Sequence, residues 1–151
     1  MNGIRFNTAE QAMMYAKALL FRDKKTAAKI LATPKPREQK ALGRTVRHFD
    51  SKMWDGRKLY EVEKINYAKF HQNPDLRAEL FKTGDAHIVE ASPNDAIWGI
   101  GLDEDTARRT PIDQWPGRNL LGLALVKVRR QLKAEFPDEF ARFQPPVSWR
   151  S

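Results

Sequence analysis

Cysteine is absent from the 151 residues, which excludes disulfides, thiolate nucleophiles and cysteine-ligated zinc. Histidine is scarce, and His48, His71 and His87 lie too far apart to form a helical metal pair. No run of about 18 apolar residues offers a membrane span, and no basic stretch followed by an apolar run and a small-residue cleavage site opens the chain. Phosphate-loop and dinucleotide-binding glycine patterns are missing, as is a defensible Ser-His-Asp arrangement. Any chemistry is therefore expected to run on carboxylates, lysine, arginine and aromatics, with no metal and no cofactor, in a cytoplasmic protein.

What is present points to one soluble domain spanning 1–151. The apolar share of 41% and charged share of 30% are ordinary for a globular chain of this size. The net charge of +8 is uneven. Residues 22–47 carry nine Lys or Arg (Arg22, Lys24, Lys25, Lys29, Lys35, Arg37, Lys40, Arg44, Arg47) against Asp23 and Glu38, a balance of +7. Such a surface attracts phosphate-bearing partners, nucleic acid among them, and is equally compatible with a solvated face that has no dedicated partner.

Helical signals dominate, and the expected fold class is mainly α. Thr8 followed by Gln11 matches a capping box and predicts a helix over 8–22. "KKTAAKILAT" predicts a second, stopped before Pro34, and a third begins near Pro36 and reads "REQKALGRTVRHF". "DSKMWDGRK" reads as a connection, and "KLYEVEKINYAKFHQ" follows with near-helical apolar spacing. Asn73 and Pro74 resemble an N-cap and first helical position, and Gly84 a stop, which predicts a helix over 74–83. At most a small β element is expected, near 86–91 in "AHIVEASPNDAIWGIG", leading into a loop and then an irregular stretch over 102–117. A long amphipathic helix "LLGLALVKVRRQLKAEF", a short one over 138–143 and a polar tail complete the chain.

The first helix carries opposite charges in an apolar setting. At about 100° per residue, Glu10 and Lys17 point within about 20° of each other, on a helix expected to be buried nearly all round. In one reading Lys17 runs its ammonium out to water and Glu10 caps or pairs locally. In the other both enter a shared cavity, where desolvation lowers the pKa of Lys17 and makes its amine nucleophilic. Spacing alone leaves both open.

Other polar residues keep similarly mixed company. Glu90 follows two β-branched residues, and Asp95 lies three residues before Trp98, beside Gly99 and Gly101. A carboxylate, an indole and glycines that permit close backbone approach suit a planar or ribosyl ligand, though Asp95 is also placed to cap a turn and Trp98 to fill a core. Trp54 and Trp115 are likewise either ligand-facing or core. Arg44 offers a bidentate group for phosphate or carboxylate, and Asn119 either caps the long helix or binds ligand.

Taken together, "TAEQAMMYAKALLF", "LGRTVRHFD", "MWDGRK", "KFHQNPDLRAELFKTG", "IVEASPNDAIWGIG" and "WPGRNLLGLALVKVR" occur in the order and near the spacing of the YbiA-like, or NADAR, family. The resemblance covers about residues 4–132. It implies a mainly α YbiA-like fold and hydrolysis of an N-glycosidic bond to a ribosyl group, in phosphoribosyl-aminopyrimidine intermediates of riboflavin synthesis or in ADP-ribose attached to guanine. It places the family's glutamate on Glu10, its lysine on Lys17, its aromatic on Trp54 and its Asp and Trp on Asp95 and Trp98, with Glu90, Arg44 and Asn119 at further family positions. Relatives also carry a short upstream segment with an "LSNF"-like motif, expected to line part of the ribosyl site, which does not precede "MNGIRFNTAEQ" here.

The expected mechanism gives Lys17 the nucleophile's part through a Schiff base with the ring-opened ribose, Asp95 or Glu10 the proton transfers, and Trp98 and Trp54 the stacking. The basic segment leans toward ADP-ribosylated nucleic acid as substrate. A small riboflavin intermediate, or a non-catalytic module that binds ADP-ribose, are the alternatives.

Overall fold

The structure, a computed structural model, describes residues 4–144. In chain order the helices are α1 (Ala9–Leu20), α2 (Lys24–Ala32), α3 (Pro36–Gly43), α4 (Ser51–Gln72), α5 (Pro74–Lys82), α6 (Glu104–Arg108), a single 3-10 turn (Ile112–Gln114), α7 (Leu120–Glu135) and α8 (Pro137–Arg142). The mainly α expectation holds, and the small β element does not form: residues 86–92 run without strand pairing. None of these helices is long and apolar enough to cross a membrane. Two compact units divide the chain between Ala68 and Lys69, inside α4.

The first unit is built on buried glutamines. Thr8 Oγ1 accepts a hydrogen bond from Gln11 N–H at 2.9 Å and starts α1, while the Gln11 side-chain oxygen accepts from Asn7 N–H at 2.8 Å. Gln11 Nε2 then donates to the Ile30 and Leu31 carbonyls in the last turn of α2, where Ile30 O also accepts the Thr33 N–H. Gln39 in α3 is fully buried; its Nε2 donates to Thr33 O and Asn7 Oδ1, and its Oε1 accepts from Thr8 Oγ1. These bonds set the positions of α1, α2 and α3 around an apolar cluster of Ala18, Phe21, Ala27, Ile30, Val46 and Trp54. Gly43 allows the approach of α3 to α1, because a Cβ there would meet Met14 Sδ at 2.0 Å.

Three expectations need correction in this unit. The first helix is not buried all round: only Gln11, Ala12 and Ala18 are inaccessible and Leu19 is exposed, because α2 and α3 cover only part of it. The third helix stops at Gly43, with residues 44–50 continuing as turns. "DSKMWDGRK" is helical from Ser51, since Asp50 Oδ1 accepts from Met53 N–H at 3.1 Å and Asp50 O from Trp54 N–H at 3.0 Å, an N-terminal cap that overrides the single Gly56.

In the second unit α5, α7 and α8 enclose Leu80, Phe81, Ala124, Val128, Leu132 and Phe140, with the rings of Phe81 and Phe140 packed edge to face at 5.3 Å. Arg77 is the polar anchor. It holds Glu139 through Nε at 2.8 Å and Nη2 at 3.1 Å, donates to His71 O at 2.7 Å, and lies over the Phe136 ring. Asn73 does not cap α5 with its side chain; it donates to Lys69 O at the end of α4, and Pro74 opens α5. Gly84, with φ of +60°, ends the turn after α5 as expected. The stretch over 102–117 is less irregular than expected, because Asp103 caps α6 by accepting from Thr106 N–H. The polar tail lies almost wholly outside the described residues.

Candidate functional site

Lys17 lies on α1 within the first unit, half-buried. Burial disfavours its charge, and the neighbouring Arg44 guanidinium repels it, so its pKa falls below the ordinary lysine value. Its Nζ rests 4.3 Å from the centroid of the Phe49 ring. Glu10, also half-buried, begins the same regular helix, and the helical period carries it to the same side as Lys17. No hydrogen bond or ion pair engages the Glu10 carboxylate among the described residues. A lowered pKa lets the amine give up its proton more readily, which nucleophilic attack or proton abstraction requires.

Arg44 follows the last turn of α3 and is exposed, which leaves its guanidinium free to meet an anion close to Lys17. Trp54 is buried in the cluster that also contains Ala18 and Phe21, so in this unit it is a packing residue beneath α1. The other basic residues of 22–47 are exposed as well. The Arg47 charge acts on the Asp23 carboxylate, and no ion pair engages the other eight among the described residues.

The second unit holds the other group of site residues on the 86–101 segment and the turn before α7. Asn119 has φ of +52° and does not cap α7 with its side chain. Its amide instead clamps the segment: Oδ1 accepts from Glu90 N–H at 3.0 Å and Nδ2 donates to Ile88 O at 2.9 Å. Gly122 permits that clamp, since a Cβ there would meet Ile88 O at 2.1 Å and the Asn119 amide at 2.4 Å. The Glu90 carbonyl accepts from Ile100 N–H at 2.9 Å, and Asn119 N–H donates to Gly99 O at 2.9 Å. Gly99 is buried, and a Cβ on it would come 2.8 Å from Glu90 O.

Within this clamped loop Asp95 Oδ1 accepts from Ile97 N–H at 3.0 Å and Trp98 N–H at 2.8 Å. The turn-capping role is therefore real. It also fixes the carboxylate's direction and leaves Oδ2 available for proton transfer. Trp98 is half-buried and the Glu90 side chain is exposed. Asp95, Trp98, Gly99, Glu90 and Asn119 thus belong to one backbone arrangement, as Lys17, Glu10, Arg44 and Trp54 belong to another.

Two further residues of note, Phe49 and Glu61, are not among the residues that the sequence singles out. Phe49 falls within the motif "LGRTVRHFD", but nothing in sequence relates it to Lys17, 32 residues earlier. Glu61 does carry a signal: it follows Trp54 by seven residues on α4, the same interval that links Glu10 and Lys17. Glu61 is buried, its Oε1 receives Arg57 Nε at 3.2 Å, and its Oε2 has no hydrogen-bond donor, with Lys64 Nζ at 3.9 Å.

The profile of the NADAR domain matches residues 1–133. The chain is 49% identical over 124 residues to N-glycosidase R617 of Acanthamoeba polyphaga mimivirus, covering 82% of this chain and 73% of that protein. It is 40% identical over 131 residues to Protein irg-1 of Caenorhabditis elegans, covering 85% of this chain and 62% of the worm protein. With N-glycosidase YbiA of Escherichia coli (strain K12) the identity is 33% over 121 residues, covering 80% and 69%.

Proposed function

The chain belongs to the NADAR domain family, and from that we propose that it is a hydrolase of N-glycosyl bonds, cleaving between C1 of a ribosyl group and a base nitrogen. Relatives named as N-glycosidases support the reaction class. The observation that carries it is Lys17, a half-buried lysine shifted toward its neutral form by burial and Arg44.

In the proposed route the Lys17 amine attacks C1. The C1–N bond to the base breaks as the leaving nitrogen takes a proton from Asp95 or Glu10, and the sugar ring opens to a Schiff base between C1 and Nζ. Water adds to C1, the amine is expelled, and the free ribosyl group departs. Trp98 is assigned to stacking on base or sugar, and Trp54, packed beneath α1, to holding the helix that carries Lys17. Arg44 is assigned to the substrate's phosphate, and Glu90, Gly99 and Asn119 to shaping the ribosyl-binding loop.

For the substrate, the nine exposed cations over 22–47, of which only Arg47 acts on a carboxylate, Asp23, among the described residues, favour ADP-ribose on guanine in nucleic acid over a single phosphoribosyl unit. Borohydride added during turnover tests the route: a ribosyl adduct on Lys17 by peptide mass spectrometry is expected, and an unmodified Lys17 under burst conditions sinks it. Release from ADP-ribosyl-guanosine DNA, assayed beside phosphoribosyl-aminopyrimidine, tests the substrate. Calorimetric binding of ADP-ribose with no release from either would instead identify a non-catalytic module.

A further inference from the structure

The contact between Lys17 and Phe49 depends on charge. An ammonium 4.3 Å from a ring centroid is attracted by the negative face of the ring, and a neutral amine is not. Phe49 is held for this contact from two sides. Its ring packs edge to face on Phe21 at 5.3 Å and 67°, and His48 before it has φ of +57°, a conformation that a residue with a Cβ keeps only where its surroundings enforce it. The ring nonetheless stays 45% exposed, so its grip on Lys17 can open without disturbing the apolar cluster.

The remaining charged groups around α1 do not offer Lys17 an alternative partner. Arg44 at the end of α3 repels it. Glu10 lies two turns away on α1, and His48 and Asp50 flank Phe49 in the turn segment. From α2 the inward residues are Thr26, Ala27 and Ile30, with Lys24, Lys25 and Lys29 exposed. No carboxylate pairs with Lys17 among the described residues.

We propose that Phe49 is a positioning residue, which parks the protonated Lys17 side chain on its ring and releases it once Nζ has given its proton to solvent or to a base. The role rests on Lys17 being the nucleophile, but the contact itself is open to measurement without any substrate. In the resting protein the ring keeps the side chain in one place. After deprotonation the attraction lapses, and the free amine moves toward a ribosyl C1.

The test is the pH dependence of Lys17 acetylation by acetic anhydride on the full chain, read by peptide mass spectrometry. Phe49→Leu and Phe49→Met remove the π face at similar volume, and Phe49→Trp restores it. Without the ring the ammonium loses stabilisation, so the Leu and Met variants are expected to shift the midpoint down by about half a pH unit, with the Trp variant at or above the wild-type value. Faster acetylation at every pH with an unmoved midpoint would mean that Phe49 is only a shield, and would overturn the proposal, as would an upward shift. Borohydride trapping on the same proteins separates the two readings. A moved midpoint with no trapped adduct keeps the positioning contact and removes the nucleophile, and an adduct with an unmoved midpoint does the reverse.

Discussion

Asp23 Oδ2 accepts a hydrogen bond from the backbone N–H of Arg47 at 2.9 Å, joining the cap of α2 to the turns that follow α3. The same carboxylate receives Thr26 N–H at 3.0 Å and Thr26 Oγ1 at 2.7 Å. Together these donors, the Arg47 amide foremost, hold its pKa down to about 2.

A depressed carboxylate pKa contributes stability above the unfolded value and loses it as the pH falls toward the folded one. For Asp23 the window runs from 3.8, its ordinary value, down to about 2. Asp23→Asn keeps an acceptor for Thr26 N–H but offers an NH₂ in place of Oδ2. The variant is expected to melt at a lower temperature than wild type at pH 7, with the gap narrowing as pH drops through that window. Thermal melts at pH 7, 4 and 2.5 check this, and a pH-independent gap would refute it.

Arg77 and Glu139 form a largely buried pair with two parallel hydrogen bonds. Removing one partner strands a charge, which costs about 3 kcal/mol. Arg77→Met is expected to lose that much in urea unfolding, whereas Arg77→Met with Glu139→Met recovers a large part of it. Equal losses in the single and double variants would contradict the pairing.

Asn119 ties Ile88 and Glu90 to the turn before α7. Asn119→Gly tolerates the positive φ and deletes only the clamp, so it isolates the side chain's contribution. Amide exchange at Glu90 and Ile100 is expected to speed up by about tenfold, in line with roughly 1 kcal/mol of hydrogen bonding removed. Activity should fall with it through a higher KM. Unchanged exchange would show that the loop holds without Asn119.

Lys25 and Lys29 are four residues apart on α2, and Arg37 and Lys40 three apart on α3, so each pair forms an exposed cationic ridge. Reversing the four charges is expected to raise KM for a DNA-linked ADP-ribosyl substrate and to flatten its salt dependence, by roughly 0.9 in log-log slope for each phosphate no longer neutralised. A free phosphoribosyl substrate should be unaffected. Equal effects on both would assign the cations to general electrostatics.

Helix boundaries are legible wherever a local rule applies. Thr8 and Gln11, Pro34, Pro36, Pro74, Gly84 and Pro137 all act within one or two turns of their position, and the helices begin and end at or beside them. The starts of α4 and α6 carry the same kind of signal, Asp50 before Met53 and Asp103 before Thr106, but in sequence Gly56 and the loop-like composition of 102–117 mask it. The order of helices, the basic segment and the family motifs are properties of the chain alone, since each depends on residues a few positions apart.

What Lys17, Asp95 and Asn119 do is a matter for tertiary structure. The pKa of Lys17 is lowered by burial and by Arg44, 27 positions away, and its Nζ meets the Phe49 ring, 32 positions away. Asp95 suits cap and ligand roles equally in sequence, and only the fold shows its Oδ1 accepting two backbone N–H groups. Asn119, expected as a helix cap or ligand group, spends both amide atoms on residues 29 and 31 positions earlier. Local spacing names the residue types available for chemistry, whereas desolvation, charge repulsion and hydrogen-bond direction arise only when distant segments meet.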